Sequence, residues 1–439
     1  MKRLLMFVLL LALLSTFSCP KVMSADKNAS AGKLQLRVGA ARCNVTPPDA
    51  MFPFEALHEA CPYTAVHDSL YARAIVMDNG ERRAVLVEID EVQVPEPLAT
   101  RKAVADVAGV SESDVIICVS HTHSTLHPNG EDRRLEHVID RIRRGAVEAT
   151  RQAVASLQPA TISFARTKAF VNINNGEAEQ RTGQYSETAF SDKTLDIVRF
   201  SSMSDKPIAL VVNYPTHAEV MFRSISNNGG YEVSGDLPGR TAYILEQANG
   251  TNGNGAPVVL TTAGAEADQQ PLLTSRQHTS TMGYIDQGVG GWAIVDALAH
   301  RLTDAINEAV QTMTKGKSNV NIETMSTEAV VPGQHRHQNR ETGEIVDEAS
   351  DDVHIPVSRI TVDDIAFAGV GADIASSVGV EIRDASPVAN TMLITCTAGA
   401  VGYVLPDAMY DHYTHAVFGS RVRKGYSTKA IIDAFAKTK

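Results

Sequence analysis

The sequence is poor in the residues that build several large classes of protein. One Trp and 5% aromatic residues in 439 positions give little support to a stacking platform for sugars. No basic stripe interleaved with aromatics appears and the net charge is −11, which excludes nucleic acid as a partner. The five cysteines form no Cys-x-x-Cys pair, so a thiolate zinc site has no support. There is no Gly-x-Ser-x-Gly elbow, no phosphate-binding Gly-x-x-x-x-Gly-Lys-[Ser/Thr] and no His-Glu-x-x-His. "GVGADIASSVG" is only loosely like a dinucleotide loop, because its spacing and partner residues do not match. The one long hydrophobic run, Leu4 to Leu14, falls short of the roughly 20 residues that span a bilayer as a helix.

That run follows Lys2 and Arg3 and precedes small residues, the layout of a secretory signal peptide. Val22 and Ser24 place cleavage near Ser24 or Ala25, giving a signal at 1–24, a polar leader at 25–33 and a domain at 34–439. Export to the periplasm or the extracellular space is expected. Lipid attachment at Cys19 is the alternative, although Phe17 fits its pattern poorly. Removing Lys2, Arg3 and Lys21 takes the net charge to −14, which speaks to solubility. In an oxidising compartment Cys43 and Cys61 have the option of a disulfide, while Cys118 and Cys396 read as buried small hydrophobes.

The 44% hydrophobic content is ample for a core, and its patterning alternates strands with helices. "LYARAIVMDNGERRAVLVEID" reads as a β-hairpin about Asn79-Gly80. "DVIICVS", "LDIVRFSS", "PIALVVNYPTH" and "APVVLTTAG" are further strands. Helices are expected at 97–107, 133–157, 237–247, 290–313 and 428–437, with "HRHQNRETGEIVDEASDD" an exposed excursion. No internal repeat or domain boundary is visible. The expected fold class is α/β, a single mixed-sheet layered domain with flanking helices.

Several apolar runs end in groups that carry chemistry. "VLVEID" ends in Asp90, "IICVS" in His121 and His123, and "ALVVNYPT" in His217. Asp236, Asp268 and Asp373 follow "EVSG", "VVLTTAGAEA" and "IAFAGVGA". Function in α/β folds concentrates where strands hand over to loops. Imidazole is a common zinc ligand, and a catalytic zinc site takes about three protein ligands with one position open. Two histidines at i and i+2 point to opposite faces of a strand, so the backbone must turn for both to serve one centre. Each residue also has a plainer role: Asp236 and Asp373 as helix N-caps, His217 as a core histidine, and His127 as a rim residue. His335 and His337 read as solvated, and His412, His415, Tyr410 and Tyr413 as either pocket lining or surface.

Together "VGAARCNVTPP", "VHDSLYARAIVMDNG", "VSHTHSTLHPNG", "NYPTHAEVM", "SGDLPGRTAYILE", "TTAGAEADQQP", "GVGAD" and "GYVLP" resemble, in order, the catalytic domain of the neutral/alkaline non-lysosomal ceramidases. The resemblance implies a zinc-dependent amidase that splits ceramide into sphingoid base and fatty acid. It implies His121, His217, Asp373 and Tyr403 as Zn²⁺ ligands, with Asp373 standing where the family has Glu. It implies His123 beside the substrate and Tyr413 in the pocket. Asp90 and Asp236 are candidates to fix the ligand histidines by hydrogen bonds. The family's serine position reads Gly264, its arginine position reads Asn175, and the family's C-terminal immunoglobulin-like module is not expected here.

The expected function is therefore hydrolysis of an amide bond in an N-acyl lipid or related small molecule, a substrate compatible with peripheral membrane contact. A ligand-binding relative without catalysis, and a metal-dependent esterase or phosphoesterase, are the alternatives. Product analysis separates them.

Overall fold

The computed structural model describes residues 34–55, 60–126, 134–175, 189–250, 256–279, 283–339, 342–411 and 414–437. The signal and leader segments, His127, His412 and Tyr413 lie outside the described residues. Leu34–Lys439 forms one compact unit. No helix among the described residues is long and apolar enough to cross a membrane.

Eight strands make the principal sheet: β1 (Arg37–Asn44), β2 (Tyr71–Asp78), β3 (Arg83–Ile89), β4 (Val115–Val119), β5 (Gln158–Lys168), β6 (Thr194–Ser202), β7 (Pro207–Tyr214) and β8 (Val258–Ala263). Their spatial order is β8-β7-β6-β5-β1-β2-β3-β4. The outermost pairs, β7 with β8 and β3 with β4, are parallel, and the interior pairs are antiparallel. The hairpin expected at Asn79-Gly80 is the β2–β3 connection, where Gly80 takes φ +88°.

Four more strands form a second sheet in the order β9 (Ile322–Gln338), β10 (Ile345–Val362), β11 (Ile365–Val370) and β13 (Asn390–Ile394). Between the last two, β12 (Asp373–Ile374) pairs in parallel with β14 (Tyr403–Val404). The excursion expected at 335–352 is the paired tip of the β9–β10 hairpin rather than a loop. Its polarity on both faces follows from projection beyond the core, which removes the alternation that marks a half-buried strand.

The seven α-helices among the described residues are α1 (Pro97–Ala108), α2 (Arg134–Ala155), α3 (Asp236–Gly250), α4 (Gly291–Thr312), α5 (Ser376–Asp384), α6 (His415–Gly419) and α7 (Ser427–Ala436). Alternation along the strands sorts the side chains into layers. Ile75 and Met77 on β2 face Ile360, Phe367 and Met392 of the second sheet. Their neighbours Ala74 and Val76 face Val138, Ile142 and Ala146 of α2. Leu210 and Val212 of β7 meet α3 and α4, while Val357 and Leu393 meet α5 and α7. The result is a helix–sheet–sheet–helix arrangement, the expected mixed α/β class.

Beyond its C-terminal end the edge strand β4 leads into a segment that meets the one leaving β7, next to the opposite edge of the large sheet. Thr122, after β4, bridges Ala218, after β7, and the His123 N–H donates to the Ala218 carbonyl at 3.1 Å. The segment after β13 ties in both: Thr395 N–H donates to Ala263 O on β8 at 3.0 Å, and Ala398 N–H to Ile117 O on β4 at 3.0 Å. Polar strand ends far apart in sequence thereby share one buried place.

Candidate metal centre and active site

His121 opens the site because the strand stops being a strand there. Its φ of +57° is in the left-handed region, which costs a non-glycine residue about 1–2 kcal/mol. The turn brings His121 and His123 to one side, with ring centroids 4.8 Å apart, instead of on opposite faces. His217 completes the trio at 5.2 Å from His121 and 5.5 Å from His123. One ring nitrogen from each lies within 4.8 Å of the others.

Backbone carbonyls orient two of the rings. His121 Nδ1 lies 2.8 Å from Val92 O, and His217 Nδ1 lies 2.8 Å from Glu266 O and 3.1 Å from Gln269 O. A proton on each Nδ1 leaves each Nε2 as the lone-pair nitrogen, the usual arrangement of a metal-binding imidazole. His217 Nε2 lies 3.4 Å from Asp373 Oδ2. His123 Nδ1 is 3.2 Å from Glu219 Oε1.

Asp373 is not a helix cap. The N-cap of α5 is Ala375, whose side chain makes no cap bond, and the Ser376 N–H is accepted instead by Asp268 Oδ1 at 2.8 Å. Asp268 also takes the Ser376 hydroxyl at 3.0 Å, so it is a structural carboxylate. The β12–β14 pairing sets Asp373 opposite Tyr403, side by side on one face. The His121, His217, Asp373 and Tyr403 segments thus converge, whereas Tyr413 lies outside the described residues.

Asp90 and Asp236 do not hold the histidines. Asp90 Oδ2 accepts from Arg73 Nη1 and from Tyr71 N–H, both at 2.8 Å. Asp236 accepts the N–H groups of Val220, Met221 and Leu237 at 3.1, 2.9 and 2.6 Å, so it pins the chain just beyond His217. Backbone carbonyls do the work expected of these carboxylates, because the strand ends already present them at the right height. Cys43 and Cys61 are free thiols.

Motif reading missed three residues. Glu266, hidden in the small-residue run before Asp268, is fully buried, and one of its oxygens lies within 4.8 Å of His121 and of Cys396 Sγ. Cys396 is thus a neighbour of the centre and not only a core hydrophobe. Glu219, two residues past His217, pairs with His123. An acid in an otherwise apolar or small-residue strand exit was the available signal for both glutamates.

The electrostatics are those of a buried, charge-rich cluster. Burial, with His123 and His217 adding to it, pushes His121 down to about 3 and keeps it neutral. Burial also disfavours charge on His217, but Asp373 outweighs it and raises this histidine well above its usual range. Burial lifts Glu266 well above the normal carboxylate range, with Asp373 adding to the rise and His217 opposing it. The Tyr403 phenol is raised by burial and then by Asp373.

A divalent metal fits these residues. The carboxylates of Asp373 and Glu266 are buried with little to satisfy them: among the described residues Asp373 has the His217 ring at 3.4 Å and Glu266 has the Thr216 backbone N–H. Leaving two carboxylates in that state is costly, and a cation removes the cost. Imidazole nitrogens with carboxylate and phenol oxygens are donors that zinc accepts.

The layered α/β fold closes its strand ends on three imidazoles and two buried carboxylates, a donor set suited to a cation. Residues 37–277 match the sequence profile of the neutral/alkaline non-lysosomal ceramidase N-terminal region, and the chain belongs to that family. Its fold is similar to the crystal structure of neutral ceramidase from Pseudomonas aeruginosa, with TM-score 0.71 and 15% identity over 92% of this chain and 73% of that one. A ceramidase complexed with C2 gives TM-score 0.71 and 14% identity, covering 91% of this chain and 74% of that one.

Proposed function

We propose that the chain is an exported zinc-dependent amidase acting on the acyl-amide bond of an N-acyl lipid. The observation that carries this is the meeting of His121, His123 and His217 with the buried carboxylate of Asp373, whose one close partner is the His217 ring. His121, His217, Asp373 and Tyr403 would hold the ion. When bound, the ion supplies Lewis-acid polarisation of the scissile carbonyl. His123, held by Glu219, faces the same space and is placed to pass a proton to the departing amine nitrogen. Burial of the site excludes bulk water and strengthens each of these interactions. Water is consumed, the C–N bond breaks, and one fatty acid and one amine form. The export proposal rests on the charged start and apolar run at residues 2–14.

The test is a product assay on purified protein supplied with Zn²⁺, against N-acyl lipid amides, esters and phosphoesters. Amine and fatty acid released in equal amounts, and lost in His121→Ala, support the proposal. Turnover only of esters or phosphoesters, or none of any substrate, refutes it.

A further inference from the structure

We propose that Glu266 is itself a ligand of the metal, so that the centre takes its ion with two carboxylates, those of Asp373 and Glu266. This rests on the proposed metal-dependent function and extends it to a residue that the motif resemblance does not mark.

Three observations converge on Glu266. Its side chain is fully buried, and only the backbone N–H of Thr216 stands against its carboxylate, with no side-chain donor on either oxygen among the described residues. A structural glutamate would be expected to have found donors, as Asp268 and Asp236 have. A carboxylate oxygen of Glu266 lies within 4.8 Å of a ring nitrogen of His121. Donors about 2 Å from a common ion stand roughly 3–4 Å apart, so a small side-chain adjustment closes the gap. Finally, the Glu266 carbonyl accepts from His217 Nδ1 at 2.8 Å, so one residue orients a ligand histidine with its backbone and turns its carboxylate toward the centre.

Charge favours one ion over two. His121 Nδ1 is committed to Val92 O, which leaves Nε2 alone for metal, and one lone pair serves one ion. With His121 neutral, the carboxylates of Asp373 and Glu266 together balance a single divalent cation. If Asp373 were the only carboxylate bound, Glu266 would stay beside the ion as a buried carboxyl with no side-chain donor to satisfy it. The two carboxylates come from separate strand exits, β12 and the turn after β8, so the ion would also tie the two sheets together.

The experiment compares wild type, Glu266→Gln and His217→Ala as full-length proteins, stripped with chelator and titrated with Zn²⁺ against a competing chelator. Circular dichroism checks the fold, and metal-induced thermal shift is a second readout. Glu266→Gln keeps the backbone carbonyl and the side-chain volume and removes only the charge. It should bind Zn²⁺ at least about tenfold more weakly than wild type, beyond what loss of an indirect partner need cause. Its metal-free form should melt higher than metal-free wild type, so the shift on adding Zn²⁺ should shrink. Wild-type affinity in Glu266→Gln beside lost binding in His217→Ala overturns the assignment and leaves the proposed function standing. Absence of Zn²⁺ binding by wild type overturns both. Should Glu266→Gln fail to fold, Glu266→Asp, which withdraws the carboxylate by one methylene, is judged by the same affinity criterion.

Discussion

Glu91→Gln should stabilise the metal-free protein at pH 8 and leave it almost unchanged at pH 4. Glu91 follows β3 and is buried, and its Oε2 accepts from Val92 N–H at 2.9 Å and from the Thr125 hydroxyl at 2.7 Å. These bonds fasten the loop carrying His121 and His123 to the segment whose Val92 carbonyl orients His121. Burial, only partly offset by the two hydrogen bonds, pushes Glu91 from 4.5 up to about 7. Folded Glu91 therefore keeps its proton over a range where the unfolded chain has lost it, and stability falls as pH rises from about 4.5 to 7. The penalty is absent below that window and complete above it, at about 3 kcal/mol. A glutamine carbonyl can accept both bonds and carries no charge. With an unfolding entropy of about 2.1 cal/mol/K per residue, the gain at pH 8 is a melting-temperature rise of roughly 3–4 °C. Calorimetry in chelator at both pH values measures it. An equal change at pH 4 and pH 8, or a loss of stability at pH 8, would refute the reasoning.

Gly264→Ser, which restores the serine of the motif resemblance, should destabilise the fold by about 1–3 kcal/mol. A Cβ there would come within 2.9 Å of Pro215 N and 3.0 Å of Pro215 Cα, both backbone atoms. An unchanged melting temperature in Gly264→Ser would contradict this. Glu219→Gln should lower kcat by about 10–100-fold with KM little changed, because His123 loses the carboxylate that positions it. Equal kcat in steady-state assays would remove Glu219 from the account. Asp268→Ala leaves the start of α5 without its side-chain acceptor and should cost about 1–3 kcal/mol, read from the same melts. It should also weaken Zn²⁺ binding, since Asp373 lies three residues before Ser376; a destabilised variant with intact affinity would separate the cap from the site.

Local signals were legible in the chain. Asn79-Gly80 marked the β2–β3 turn, and apolar spacing marked α2 and α4 to within a few residues. His121 and His217 stood out because each breaks an apolar run abruptly. The order of the large sheet was not legible, since pairing β7 with β8 and β3 with β4 is decided by contacts far apart in sequence. The orienting groups at Val92, Glu266 and Gln269 are backbone carbonyls, which no side-chain pattern displays. Asp90 drew attention because a charged strand end looks functional, yet it answers Arg73, itself 2% exposed. Glu266 escaped because Asp268 two residues later carried the more familiar pattern, and only burial without side-chain donors sets the two apart.

The central claim is that His121 and His217 hold a catalytic metal. Crystals of the protein grown with Zn²⁺, with diffraction recorded on both sides of the zinc absorption edge, test it directly. The account predicts one anomalous peak at about 2.0–2.1 Å from Nε2 of both His121 and His217, with Asp373 in coordination range. Zinc found elsewhere, or no peak between these histidines at saturating metal, would contradict it.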